Sequence, residues 1–104
     1  MREIADRRGL QISWSKPLDL PASPCDPGVV AALEQAAADE GVPFRRMHSG
    51  AGHDTQNIAR IAKTAMVFAR SKDGRSHTPE EFTSVEDAVA AIRVLTATLY
   101  RLAY

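Results

Sequence analysis

The chain has 104 residues, thirteen basic side chains balanced by thirteen acidic ones, and a hydrophobic content of 44%. That length bounds it to one small domain or a piece of a larger one, and the balanced charge excludes the field that draws in nucleic acid or an anionic membrane. A single cysteine, Cys25, excludes a disulfide framework and a multi-cysteine zinc site.

Residues 2–9, REIADRRG, predict the last two turns of a helix, with Arg7 and Arg8 at its negative end and Gly9 as the stop. A chain that opens on a helix end is expected to be cut from a longer one. No apolar run resembles a signal peptide or is long enough to span a bilayer, so a cytoplasmic setting is expected. Leu10, Ile12 and Trp14 then alternate with Gln11, Ser13 and Ser15, which predicts a half-buried strand ended by Pro17. The proline-rich stretch that follows reads as a linker, with Cys25 semi-buried in it.

Asp26-Pro27 pairs a helix cap with a proline at the first helical position. The helix is expected to run through Val29, Val30, Leu33, Ala36 and Ala37 and to stop at Gly41. VPFRRMHS at 42–49 predicts a short strand with His48 at its exposed end. Asp54 is expected to cap a helix carrying Ile58, Ile61 and Ala62, and TAMVFA at 64–69 to form a strand covered on both faces. A capping box, Thr83 to Glu86 or Ser84 to Asp87, opens the last helix. Val85, Ala88, Val89, Ile92, Leu95, Leu99 and Leu102 form a stripe along it that is assigned to the core. The order from 28 to 104 is helix–strand–helix–strand–helix, an α/β layer whose two strands are too few for a stable sheet. Neighbouring strands must come from further sequence or from another chain.

Two loops leave the predicted strands at their carboxyl ends, where open α/β sheets bind ligands. In SGAGHD (49–54), Gly50 and Gly52 let backbone approach a ligand, and His53 offers hydrogen bonding or proton transfer. A tight turn with a capping aspartate explains the same residues. In SKDGRSHTPEEFT (71–83), Thr78-Pro79 extends the backbone near His77, whose imidazole suits a metal, with Glu81 or Asp73 as orienting carboxylate. A surface histidine near a helix start is the plainer alternative. Ser49 or Ser76 with His53 or His77 and Asp54 or Asp73 forms no recognisable triad, because no serine stands in a nucleophile elbow.

At SGAGHD (49–54), SKDG (71–74) and the SH-P-EFT pattern of 76–83, the sequence resembles the C-terminal end of the metal-dependent amidohydrolases that include N-carbamoyl-L-amino-acid hydrolase, allantoate amidohydrolase and β-alanine synthase. These belong to the aminoacylase and dinuclear-zinc carboxypeptidase group. The resemblance covers nearly the whole chain and favours the ligand readings of both loops. It implies a peptidase-like α/β catalytic domain. Residues 1–20 then end an inserted lid or dimerisation domain, 21–27 form the linker, and 28–104 close the catalytic domain. His77 matches the last metal ligand of the family, Gly52 and His53 match the substrate-pocket loop, and Glu81 matches a position orienting the loop around His77.

Family catalysis uses two divalent metals, zinc or manganese, bridged by a water that attacks an amide or ureido carbon with an upstream glutamate as general base. The other ligands and that glutamate precede this stretch in the family. The implication is a fragment that holds no metal, turns over no substrate by itself, and meets its small-molecule substrate only in the complete enzyme. Arg70, Arg75 and Ala65 depart from the family pattern around the loops. A different class of reading is a free-standing interaction module, which pairs the edge of the first predicted strand with a second copy or another protein; a third is a small-molecule-binding module that kept the glycine loop after losing catalysis.

Overall fold

In the computed structural model, which describes residues 2–16 and 21–103, order is concentrated in helices and their caps. Helix α1 spans Arg2–Arg7, α2 Pro27–Asp39, α3 Thr55–Ile58 and α4 Val85–Ala103, with one 3-10 turn at Lys72–Gly74. The strand end at Pro17 and the boundary at Leu20 lie outside the described residues.

The helix ends follow from local chemistry. Gly9, at φ 64°, closes α1, with the Leu10 N–H reaching the Ala5 carbonyl at 2.9 Å and the Gly9 N–H reaching Asp6. Gly41, at φ 67°, does the same for α2 through Val42 to Ala37 and Gly41 to Ala38. Both are left-handed C-terminal caps, which glycine adopts without a Cβ penalty. The Asp26 carboxylate accepts from the Val29 N–H at 3.0 Å, and Pro27 occupies the first turn. Ser84 opens α4: its hydroxyl accepts from the Asp87 N–H at 3.1 Å and donates to the Asp87 carboxylate at 3.0 Å. The Ser84–Asp87 pair is therefore the one used. Asp54 is a correction: it is helical itself, its side chain makes no capping bond, and α3 lasts four residues before loosening into turns.

The core is the seam between α2 and α4. Ala36, Ala37 and Val94 are buried, with Leu33, Val42 and Ala97 packed against them. Small residues let the two helices approach closely. Thr98, also buried, returns its hydroxyl to the Val94 carbonyl at 2.7 Å, so that hydroxyl is not stranded. Arg93 reaches the Glu40 carboxylate at 2.9 Å and the Glu40 carbonyl at 3.1 Å, and Arg101 pairs with Asp39, fastening α4 to the carboxyl end of α2. Arg46 joins segment 42–49 to α2 through Glu34, with its Nε 3.1 Å from the carboxylate. That hydrogen bond first, and the opposite charge second, hold the guanidinium pKa above its ordinary value.

The apolar stripe of α4 overturns its assignment to the core. Ile92 is 60% exposed and Leu99 56%, and Val85, Val89, Leu95 and Leu102 are also exposed. At 3.6 residues per turn, Ile92 lies about 160° around the helix from Val94. The side facing α2 is therefore the alanine, valine and threonine side, and the larger side chains point away from it.

The three predicted strands run without helical structure, but among the described residues no segment pairs into a ladder. The α/β assignment is thus matched by its helices and not by a sheet. A strand needs a neighbouring strand to bond to, and among the described residues Leu10, Ile12 and Trp14 stand exposed with no strand beside them. Cys25 is likewise exposed instead of semi-buried. A Cα radius of gyration of 18.8 Å measures the openness, against about 13 Å for a compact domain of this length. Among the described residues, no helix is long and apolar enough to cross a membrane.

Candidate functional site

The first loop is held by its own side chains. Ser49 places its hydroxyl 2.7 Å from His53 Nε2 and accepts from the Ala51 N–H at 3.3 Å. The half-buried His53 ring meets Phe68 edge to face, with centroids 5.9 Å apart and planes at 61°. That geometry lies in the favourable range for aromatic pairs and joins the loop to segment 64–69. Gln56 accepts from the His53 N–H at 3.4 Å and donates to the Pro21 carbonyl at 3.5 Å, tying the loop to the linker. The Asp26 N–H reaches the Thr64 carbonyl at 2.7 Å, so the linker also touches segment 64–69.

Neither glycine of this loop is needed for the local turn. Both lack a positive φ, a Cβ at Gly50 would meet open space, and one at Gly52 would lie 3.4 Å from the Gln56 side chain. The tight-turn explanation of these glycines therefore finds no support in their backbone conformation.

The second loop is closed at its base by the Lys72 N–H on the Phe82 carbonyl at 2.7 Å. Inside it, Asp73 and Gly74 are left-handed, and the Ser71 hydroxyl donates to the Arg75 carbonyl. His77 is also left-handed, at φ 59°, an uncommon state for a residue other than glycine, though histidine is among those enriched there. Its N–H donates to the Glu81 carboxylate at 3.1 Å, and the Glu81 N–H returns to the Thr78 carbonyl at 3.1 Å. Glu81 thus grips the backbone of His77, whereas the sequence pointed to Glu81 or Asp73 as a carboxylate for the imidazole. His77 itself is exposed.

Among the described residues, Ser49 meets His53 and Glu81 meets His77, but no hydrogen bond or ion pair joins the two loops. Among the described residues no carboxylate bonds to His53, so Ser49 and His53 stand there without the third member of a triad. Among the described residues, no group of three or more His, Cys, Asp or Glu side chains could hold a metal ion. His77 brings one imidazole of suitable chemistry, short of the three or more protein ligands a catalytic metal requires. From the sequence, Ser49 was paired with His53 only as part of a triad and set aside, and Phe68 was not identified as the packing surface of His53. A four-residue spacing carries no geometric meaning in a loop, and Phe68 lay inside an apolar run.

Residues 9–101 match the family described as Peptidase family M20/M25/M40. Over 104 residues the chain is 36% identical to an allantoate amidohydrolase of Escherichia coli (strain K12), covering all of this chain and 25% of that protein. It is 36% identical over 101 residues to an allantoate amidohydrolase of Bacillus subtilis (strain 168), covering 97% of this chain and 24% of the relative. An N-carbamoyl-L-amino acid amidohydrolase of Geobacillus stearothermophilus is 34% identical over 100 residues, 96% of this chain and 24% of its own length. The chain spans about a quarter of the length of these curated relatives. No solved structure matches it.

Proposed function

The chain belongs to peptidase family M20/M25/M40, and from that premise we propose that it is the C-terminal part of a metal-dependent hydrolase of linear amide or ureido C–N bonds. Its substrates would be N-carbamoyl-amino acids or allantoate-like ureides, the classes named by its relatives. In the complete protein, Gly52 and His53 contact the substrate and His77 supplies one ligand to a divalent zinc or manganese. When bound, such a metal acidifies water and polarises the scissile carbonyl. What this chain's residues do is narrower: the Gly52 backbone approaches the substrate, His53 hydrogen-bonds it, and Glu81 holds the His77 backbone. Residues up to about 20 end an inserted lid domain, and the setting is cytoplasmic.

The observation that carries this reading is the family match over residues 9–101, beside relatives named as amidohydrolases of which the chain spans about a quarter. Beside it, the exposed His77 stands in a loop whose backbone the Glu81 carboxylate holds. The exposed stripe of α4 and the extended segments support the same reading, since among the described residues no layer covers them as an α/β domain would.

The test is an assay of the isolated chain on N-carbamoyl-L-amino acids and allantoate with zinc or manganese added. No turnover above the metal blank is expected. Turnover at ordinary enzyme rates, about 1 per second or faster, overturns the reading.

The exposed Leu10, Ile12 and Trp14 favour a second reading, a module that associates with itself through an unpaired edge. A concentration-independent monomer in sedimentation counts against it.

A further inference from the structure

We infer that Ser49 is a positioning residue that fixes His53 in the tautomer protonated on Nδ1, which makes this imidazole a hydrogen-bond donor toward an oxygen of the ligand and not a general base. The inference rests on the proposed contact of His53 with substrate and says which atom makes it.

The argument is a count of protons around one hydroxyl. Ser49 Oγ already accepts from the Ala51 N–H at 3.3 Å. Its single proton has two acceptors in reach, His53 Nε2 at 2.7 Å and the Ala51 carbonyl at 3.5 Å. Hydroxyl hydrogen bonds to oxygen lie at about 2.5–3.0 Å, so the carbonyl is beyond good range. With the proton aimed at Nε2, both short contacts are satisfied. In the reverse arrangement Nε2–H and the Ala51 N–H both point at Oγ, and among protein acceptors the hydroxyl proton keeps only the long contact. An accepting Nε2 in a neutral ring places the proton on Nδ1, because the hydrogen bond made by one nitrogen decides the state of the other.

Two further contacts fix the direction. Phe68 packs edge to face with the ring, and Gln56 holds the His53 N–H, so both ring and backbone are restrained. Among the described residues no protein group bonds to Nδ1, which leaves it for an external acceptor. A carboxylate, amide or ureido oxygen fits it. A proton to be abstracted does not, since the ring's lone pair is engaged by Ser49.

The test is long-range nitrogen-15 NMR of the full chain at a pH where the ring is neutral, for the wild type, Ser49→Ala and Ser49→Thr. The expected wild-type signal for His53 has a protonated Nδ1 and an unprotonated Nε2. Ser49→Ala is expected to invert the majority to the Nε2–H form that free histidine favours, and Ser49→Thr, which keeps the hydroxyl, to restore the wild-type pattern. The same tautomer in the wild type and Ser49→Ala overturns the inference. If the alanine variant loses its α2–α4 amide signals, the wild type is compared with itself in urea. Loss of the Nδ1–H form on unfolding then supports the inference, and its retention overturns it. Adding N-carbamoylglycine separates the two levels: a ring in the expected tautomer that this probe leaves unshifted upholds the role of Ser49 and counts against the substrate contact of His53.

Discussion

The Glu81 carboxylate accepts from the backbone N–H of His77 at 3.1 Å while His77 sits in the left-handed region at φ 59°. The carboxylate therefore stabilises a backbone state that costs about 1–2 kcal/mol for a side chain with a Cβ. Glu81→Ala is expected to speed amide exchange at His77, with Glu81→Gln close to the wild type because its carbonyl oxygen still accepts. The loss of global stability should stay within about 1.5 kcal/mol, since one hydrogen bond in a solvated loop is worth little net. Hydrogen exchange read residue by residue checks both statements.

Val94 and Leu99 lie on different sides of α4, and their truncations should differ accordingly. Val94→Ala removes buried methyl groups from the α2 seam and is expected to cost about 1–3 kcal/mol. Leu99→Ala removes a larger side chain that is 56% exposed, and should cost under about 0.5 kcal/mol in the isolated chain. Urea unfolding followed by helical circular dichroism measures the pair. Equal losses would contradict the observed side of packing.

Caps at the two ends of α2 give a third expectation. Asp26→Ala leaves the Val29 N–H without its carboxylate and should cost about 1 kcal/mol. Gly41→Ala imposes a Cβ on a left-handed backbone and should cost about 1–2 kcal/mol. Gly50→Ala meets open space with no positive φ, so its effect on stability should stay within about 1 kcal/mol. The same unfolding measurement ranks all three.

The pairing of Arg46 with Glu34 raises the guanidinium pKa, so any stability it contributes is fully present below the ordinary arginine value and is lost only as pH rises through the still higher folded value. Both limits lie above the working range. The difference in melting temperature between the wild type and Arg46→Met is therefore expected not to vary, through this guanidinium, from about pH 7 to about pH 9. A difference that grows within that interval would assign the effect to another group.

Much of the local architecture was legible because its signals act over three or four residues. Asp26-Pro27, Gly41 and Gly9 mark helix ends through bonds made inside one turn, and each is found where the spacing puts it. Ser84 with Asp87 was one of two capping pairs the sequence allowed, and geometry chose between them. Asp54 failed as a cap because its own backbone is helical, a state that residue type does not dictate.

By itself the sequence determined where α2 begins and where α1 and α2 end, it narrowed the start of α4 to two neighbouring caps, and through the order of its two loop motifs it pointed to the family. Tertiary structure alone decided which side of α4 is buried, since a stripe of large apolar residues records that a side will be covered but not by what. It also decided that the carboxylate of Glu81 serves a backbone N–H and that the partner of His53 is a serine hydroxyl. Such contacts depend on the path of a loop in space, and no periodic spacing encodes that path. The extended segments show the same division: alternation is written in the chain, but a ladder requires a neighbour.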